Sequence, residues 1–112
     1  MNASIFSALA EPNRFHIVEL LRFSPLTVGE ISDKMEIRQP QASKHLRVLL
    51  DAGIVEVHAE ANRRIYSLRQ EPFQEMEDWL KSVSRAWEER LDQLDQYLQV
   101  LQEKQKNGDS SK

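Results

Sequence analysis

The hydrophobic period changes at Gly53, and that change limits the folds open to the chain. Upstream, QPQASKHLRVLLDAG (Gln39–Gly53) follows helical spacing. With Leu46 as the zero of angle and about 100° per residue, Ala42, Leu49, Leu50 and Gly53 fall within about 60° of it, a stripe to bury. Pro40, Gln41, Lys44, Arg47 and Asp51 lie more than about 95° away, and Ser43 and His45 flank the stripe. Downstream, Val55, Val57 and Ala59 alternate with Glu56 and His58, the pattern of a strand. Glu60-Ala61-Asn62-Arg63 reads as a turn in which Asn62 tolerates a left-handed conformation, and Arg64 to Leu68 returns as a second strand. A helix that ends at a glycine C-cap therefore feeds directly into a β-hairpin.

The segments on either side fit one arrangement. Ser4 to Ala10 makes a short helix with Ile5, Phe6 and Leu9 apolar. Pro12 opens a second, whose apolar positions are Phe15, Val18, Leu20 and Leu21. Thr27-Val28-Gly29-Glu30 has the form of a capping box and starts a third helix ending near Met35, with Val28, Ile31 and Met35 on one face. After the hairpin, Pro72 opens a long helix. Its apolar seam is Phe73, Met76, Leu80, Val83, Trp87, Leu91, Leu94, Leu98 and Leu101, in steps of three and four with a single stutter. To about Lys104 it would span roughly 50 Å. Trp79, outside the seam, reads as core or interface. The expected fold is mainly α with a small β-hairpin: a winged helix-turn-helix with a long C-terminal dimerisation helix. Residues 1–105 are expected as a single domain, and 106–112 (KNGDSSK) as a disordered polar tail.

Charge divides unevenly along the chain. Net charge is −3, yet residues 1–69 hold nine Lys/Arg against eight Asp/Glu, while residues 70–112 hold six against ten. Arg38 to Arg47 contains three full cations and a histidine with no acid. A confined basic face on an acidic protein points to an anionic partner. A helix presenting amides and cations at its N-terminal half has the chemistry of a recognition helix. Gln pairs with adenine, Lys with guanine, Ser with bases or phosphate, and the cations neutralise phosphates. The residues assigned to double-stranded DNA are Arg38, Gln39, Gln41, Ser43, Lys44, His45 and Arg47 from this helix and its approach, with Asn62, Arg63 and Arg64 from the wing. Arg63 ranks ahead of Arg64. For His45 two readings stand, a phosphate contact and a packed flank residue bonding a backbone carbonyl. Tyr66 is assigned to packing.

The runs ALAEPNRFHIVELL, LTVGEISDKM and QPQASKHLRVLLDAGIVEVHAEANRRIYSL resemble the ArsR family of winged-helix bacterial repressors over about residues 3–70. The marks are Ala8-Leu9-Ala10 with Pro12 and Arg14, Ser43-Lys44-His45-Leu46, Leu49 with Ala52-Gly53, and Arg63, Arg64 and Tyr66. The family often carries glycine before the wing arginines, where Asn62 stands here. The resemblance implies a homodimer that binds operator DNA and represses transcription, and a two-fold dimer in turn calls for an inverted-repeat operator. The ending WEERLDQLDQYL is similar to that of a metal-independent branch. Family members that sense metals use thiolates in the third helix, whose places hold Thr27 and Gly29, or Asp/His pairs on the last helix, which has no histidine.

Other functions find little support. The chain has no cysteine, which excludes disulfides and thiolate metal sites. His16, His45 and His58 are scattered over separate elements, and Glu75, Asp78, Glu88 and Glu89 read as a solvated helix face. No metal or other cofactor is expected. No phosphate loop or nucleophile with a base suggests an enzyme. No apolar run of membrane-spanning length and no signal-peptide layout are present, so a cytoplasmic location is expected. The competing reading is a winged-helix module for protein–protein docking. The dimer is expected to form through Ile5, Phe6 and Leu9 of the first helix with Trp87, Leu91, Leu94, Leu98 and Leu101 of the last.

Overall fold

The computed structural model describes residues 3–110, with side chains to residue 105. In chain order it has α1 (Ala3–Leu9), α2 (Pro12–Leu21), β1 (Leu26–Thr27), α3 (Val28–Met35), α4 (Gln39–Asp51), β2 (Val55–Glu60), β3 (Arg63–Leu68) and α5 (Gln70–Ser110). This is a mainly helical winged helix-turn-helix with a small antiparallel sheet of order β1-β3-β2. It divides into two compact units, the first ending at Glu75 and the second, from Met76, being the remainder of α5.

Local chemistry sets the helix ends of the first unit. Thr27 Oγ1 accepts from Glu30 N–H at 3.2 Å, and Glu30 Oε1 accepts from Thr27 N–H at 3.0 Å, completing the expected capping box. Thr27 also ends β1, which pairs Leu26 with Tyr66 and Thr27 with Ile65. This third strand was not expected, because two residues carry no period to read. At the end of α4, Gly53 N–H bonds Leu50 O and Ile54 N–H bonds Leu49 O, both at 3.0 Å, with Gly53 at φ +76°. That is a Schellman motif with glycine in its left-handed position, as the sequence indicates.

The core of this unit lies where α2, α3 and α4 meet the start of β2. Ile17, Ile31, Leu46, Leu49, Ile54 and Val55 are fully buried. Ala42 joins them, so the predicted stripe of α4 faces inward. One expectation for α2 was wrong. Phe15 is 52% exposed, and Ile17 takes the interior position. Phe15, Ile17, Val18, Leu20 and Leu21 spread around most of that helix, so periodicity alone does not choose its buried side.

Two further details differ from expectation. In the hairpin the positive φ falls on Ala61 (+56°) rather than Asn62. The two-residue loop between Glu60 and Arg63 carries it at the first loop position, where the tight turns that suit hairpins need a positive φ. The backbone of α5 continues to Ser110, beyond the end expected near Lys104. Gln105 and Lys106 are good helix formers and carry the helix past Lys104. Residues 111 and 112 of the expected tail lie outside the described residues.

Candidate nucleic-acid interface

The helix-turn-helix places the polar face of α4 outward. Gln39, Pro40, Gln41, Ser43, Lys44 and Arg47 are exposed, and so is Arg38, the extended residue preceding the helix. Burying Ala42, Leu46 and Leu49 fixes this rotation, since side chains on the opposite side must then face solvent.

The hairpin adds a second wall. A cleft of about 390 Å³ lies between the two, lined by Pro40, Ser43, Lys44, Leu46, Arg47 and Leu50 of α4 and by Val57, Arg64 and Tyr66 of the hairpin. Leu46, Leu50 and Val57 form apolar lining, Lys44, Arg47 and Arg64 supply positive charge, and no carboxylate lines the cleft.

The strand register explains which arginine enters. Val57 pairs with Tyr66 and Ala59 with Arg64, so these residues share one face of the ribbon. Arg63 pairs with Glu60 on the opposite face. Its charge, with that of Lys34, helps hold the Glu30 carboxyl below its ordinary value, after the larger contributions of the hydrogen bonds with the Thr27 backbone and side chain. Sequence spacing favours Arg63 over Arg64 for DNA and gives Tyr66 to packing; in the structure Arg64 and Tyr66 line the cleft. Counting outward from the two-residue turn, pairing 59 with 64 and 57 with 66, is the signal that finds them.

The remaining residues assigned to DNA are variously engaged. Gln41 Oε1 accepts from Arg38 N–H at 3.4 Å, a long exposed bond that tethers the start of α4. Gln39 lies over the start of α3: its Nε2 would be 3.2 Å from a Cβ added at Gly29. Arg47 pairs with Asp51 at 3.4 Å on the surface, an interaction worth under about 1 kcal/mol and easily exchanged. Asn62 is exposed at the wing tip. His45 is turned aside: its side chain is 21% exposed, and Nδ1 lies 3.7 Å from Glu11 Oε2 at the start of α2.

Two supporting arginines were not identified as such from sequence. Arg14 Nε donates to Ala8 O at 2.6 Å and Nη2 to Ser7 O at 3.3 Å, satisfying the end of α1. Arg69 N–H donates to Ile54 O at 2.9 Å, and its Nη1 to Gly53 O at 3.1 Å, holding the end of α4 from the far side of the hairpin.

The residues assigned to dimerisation fall into two groups. In α1, Ile5 is buried within its own protomer, Leu9 is half-buried and Phe6 is 41% exposed. In α5, Trp87, Leu91, Leu94, Leu98 and Leu101 are between 41% and 59% exposed. Arg90 stacks 5.6 Å from the Trp87 ring. Among the described residues there is no cluster of three metal-ligating side chains, and no helix is long and apolar enough to cross a membrane.

Comparison with known proteins agrees with this geometry. A helix-turn-helix domain family model matches residues 9–58. The chain is 35% identical over 89 residues to the biofilm growth-associated repressor of Agrobacterium fabrum, covering 80% of this chain and 76% of that one. The crystal structure of an ArsR family transcriptional regulator aligns with a TM-score of 0.68 at 33% identity, over 76% of this chain and 88% of the other. A homodimeric winged helix-turn-helix DNA-binding domain from Mycobacterium bovis aligns with a TM-score of 0.62 at 27% identity, over 73% and 76% of the two chains.

Proposed function

We propose that this chain, which belongs to the ArsR family of DNA-binding transcriptional regulators and is not an enzyme, acts as a homodimeric repressor on an inverted-repeat operator, its own promoter included. The observation that carries this reading is the acid-free cleft in which Ser43, Lys44 and Arg47 of the recognition helix meet Arg64 of the wing. An α-helix fits the major groove, where exposed Gln41, Ser43 and Lys44 can reach base edges. Arg38, Gln39, Arg47, Asn62, Arg63 and Arg64 contact the flanking phosphates, Arg64 from within the cleft. The positive end of the α4 dipole adds to the same attraction.

The dimer follows from the exposed row of α5. Burying one Leu or Trp side chain stabilises by about 1.5–3 kcal/mol. Four leucines and a tryptophan left half-exposed along one helix forgo much of that gain unless an identical copy covers them across a two-fold axis. Phe6 of α1 adds an exposed aromatic, and the homodimeric Mycobacterium bovis domain supports the arrangement. Two recognition helices then face grooves about 34–36 Å apart or a multiple of it, which calls for an inverted repeat.

Regulation is independent of metal in this proposal. Thr27 Oγ1 is committed to capping α3, and the chain has no thiolate to offer. The test is titration of the DNA flanking its own gene, with sedimentation in parallel. The protein should sediment at about twice its chain mass and bind that DNA equally well with and without zinc, copper or cobalt. The Lys44→Ala, Arg47→Ala double variant should bind much more weakly. A monomer, metal-induced release, or undiminished binding by the double variant would each overturn the corresponding part.

A further inference from the structure

We infer that His45 is a positioning residue of the recognition helix, acting through Glu11 and not through DNA; the inference rests on the operator-binding reading above. His45 stands between exposed Lys44 and buried Leu46, but its own ring is mostly covered. The ring faces the start of α2, with Nδ1 3.7 Å from Glu11 Oε2. Glu11 is not a freely moving surface acid. The same Oε2 accepts the Arg14 N–H at 2.9 Å, so this carboxylate is the N-cap of α2. Ser, Thr, Asp and Asn are the usual residues there. Glutamate is longer, and its carboxylate both caps α2 and approaches the ring on α4. Arg14 extends the chain of contacts, since its guanidinium holds the Ala8 and Ser7 carbonyls at the end of α1.

Contacts thus run from His45 of α4 to the Glu11 carboxylate, from there to the Arg14 backbone of α2, and through the Arg14 side chain to the end of α1, beside the N-terminal half of α4 that presents Gln41, Ser43 and Lys44. Leu46 and Leu49 keep α4 in the core whether or not these contacts are intact. The His45–Glu11 approach fixes the remaining freedom, the tilt of the reading end against α2. A helix tilted a little differently still meets phosphates but seats its base-reading side chains less well. Loss of His45 should therefore weaken binding without removing a phosphate contact.

The experiment measures the affinity of the full-length protein for a duplex enriched by in vitro selection on the parent, between about 50 and 200 mM salt, where phosphate contacts show in the slope. His45→Ala should bind about fivefold more weakly, the equivalent of about 1 kcal/mol, at every salt concentration. The logarithmic salt slope should stay at the parent value. His45→Gln, whose amide can donate to the carboxylate, should recover most of the affinity. Glu11→Ala should lose about as much as His45→Ala although Glu11 lies off the reading face, and the double variant should be no weaker than either single one. The assignment is overturned if His45→Ala lowers the slope by about one, the signature of a lost phosphate contact. It is equally overturned if the two losses add or if His45→Gln binds no better than His45→Ala. A parent that enriches no duplex would overturn the operator reading itself, and this assignment with it.

Discussion

Gly53 ends the recognition helix, and replacing it with alanine should destabilise the fold by an amount that its geometry sets. Its φ of +76° lies in the left-handed region, where a Cβ costs about 1–2 kcal/mol. Alanine recovers part of this by stiffening the unfolded chain, about 0.4–1 kcal/mol. The new Cβ would sit 3.0 Å from Arg69 Nη1. That atom ends a flexible side chain and can move, but moving it disturbs the bond to Gly53 O. The net loss is about 1 kcal/mol, which for a domain of this size lowers the thermal midpoint by about 4–8 °C. Gly53→Asn should fall between parent and Gly53→Ala, because asparagine tolerates the left-handed region better than alanine. The assay is thermal unfolding followed by circular dichroism, at one fixed protomer concentration because dimerisation contributes to the midpoint. A Gly53→Ala protein that melts at or above the parent midpoint would refute the reasoning.

Two other expectations test the wing and the helix-turn-helix. Arg64→Ala should lower the salt slope of DNA binding by about one and cost more affinity than Arg63→Ala, because Arg64 lines the cleft and Arg63 pairs with Glu60 on the other face; the reverse order in a salt titration would place the DNA on the other side of the hairpin. Glu30→Gln keeps a side chain able to complete the capping box but removes the charge. The folded Glu30 carboxyl titrates below its ordinary 4.5, chiefly because of its hydrogen bonds with Thr27. Its contribution is therefore fully present above that unfolded value and disappears as pH falls through the lower folded one. Urea midpoints taken from pH 7 down to pH 3 should show a parent advantage that is flat above about pH 5 and closes in acid; an advantage independent of pH would count against the charge.

The helices and the hairpin were legible because each carries local punctuation. Pro12, the Thr27–Glu30 box and Gly53 mark their ends with chemistry that depends on a few neighbouring residues, and the change of period after Gly53 needs only sequence spacing. The rotation of α4 was legible for the same reason, since its apolar and polar positions separate cleanly. The rotation of α2 was not, because apolar residues surround most of it and only packing against α4 and the sheet decides between Phe15 and Ile17. The short β1 strand shows the same dependence. Leu26 and Thr27 are a strand only because Tyr66 and Ile65 stand opposite them.

Within the candidate interface, what sequence spacing missed are the relations across elements. The charges of α4 were visible as a run, but the wing's share depends on register, and register depends on the turn. A two-residue loop at Ala61-Asn62 aligns 59 with 64 and 57 with 66, which sends Arg64 and Tyr66 toward α4. Shifting that pairing by one residue would exchange the faces and put Arg63 in the cleft. The left-handed Ala61 is therefore more than a local strain. It maintains the short loop that decides which arginine joins Lys44. His45 belongs to the same class of relation. Its neighbours in sequence leave a phosphate contact and a packed flank position both open, and only the start of α2 beside α4 supplies the carboxylate that its ring faces.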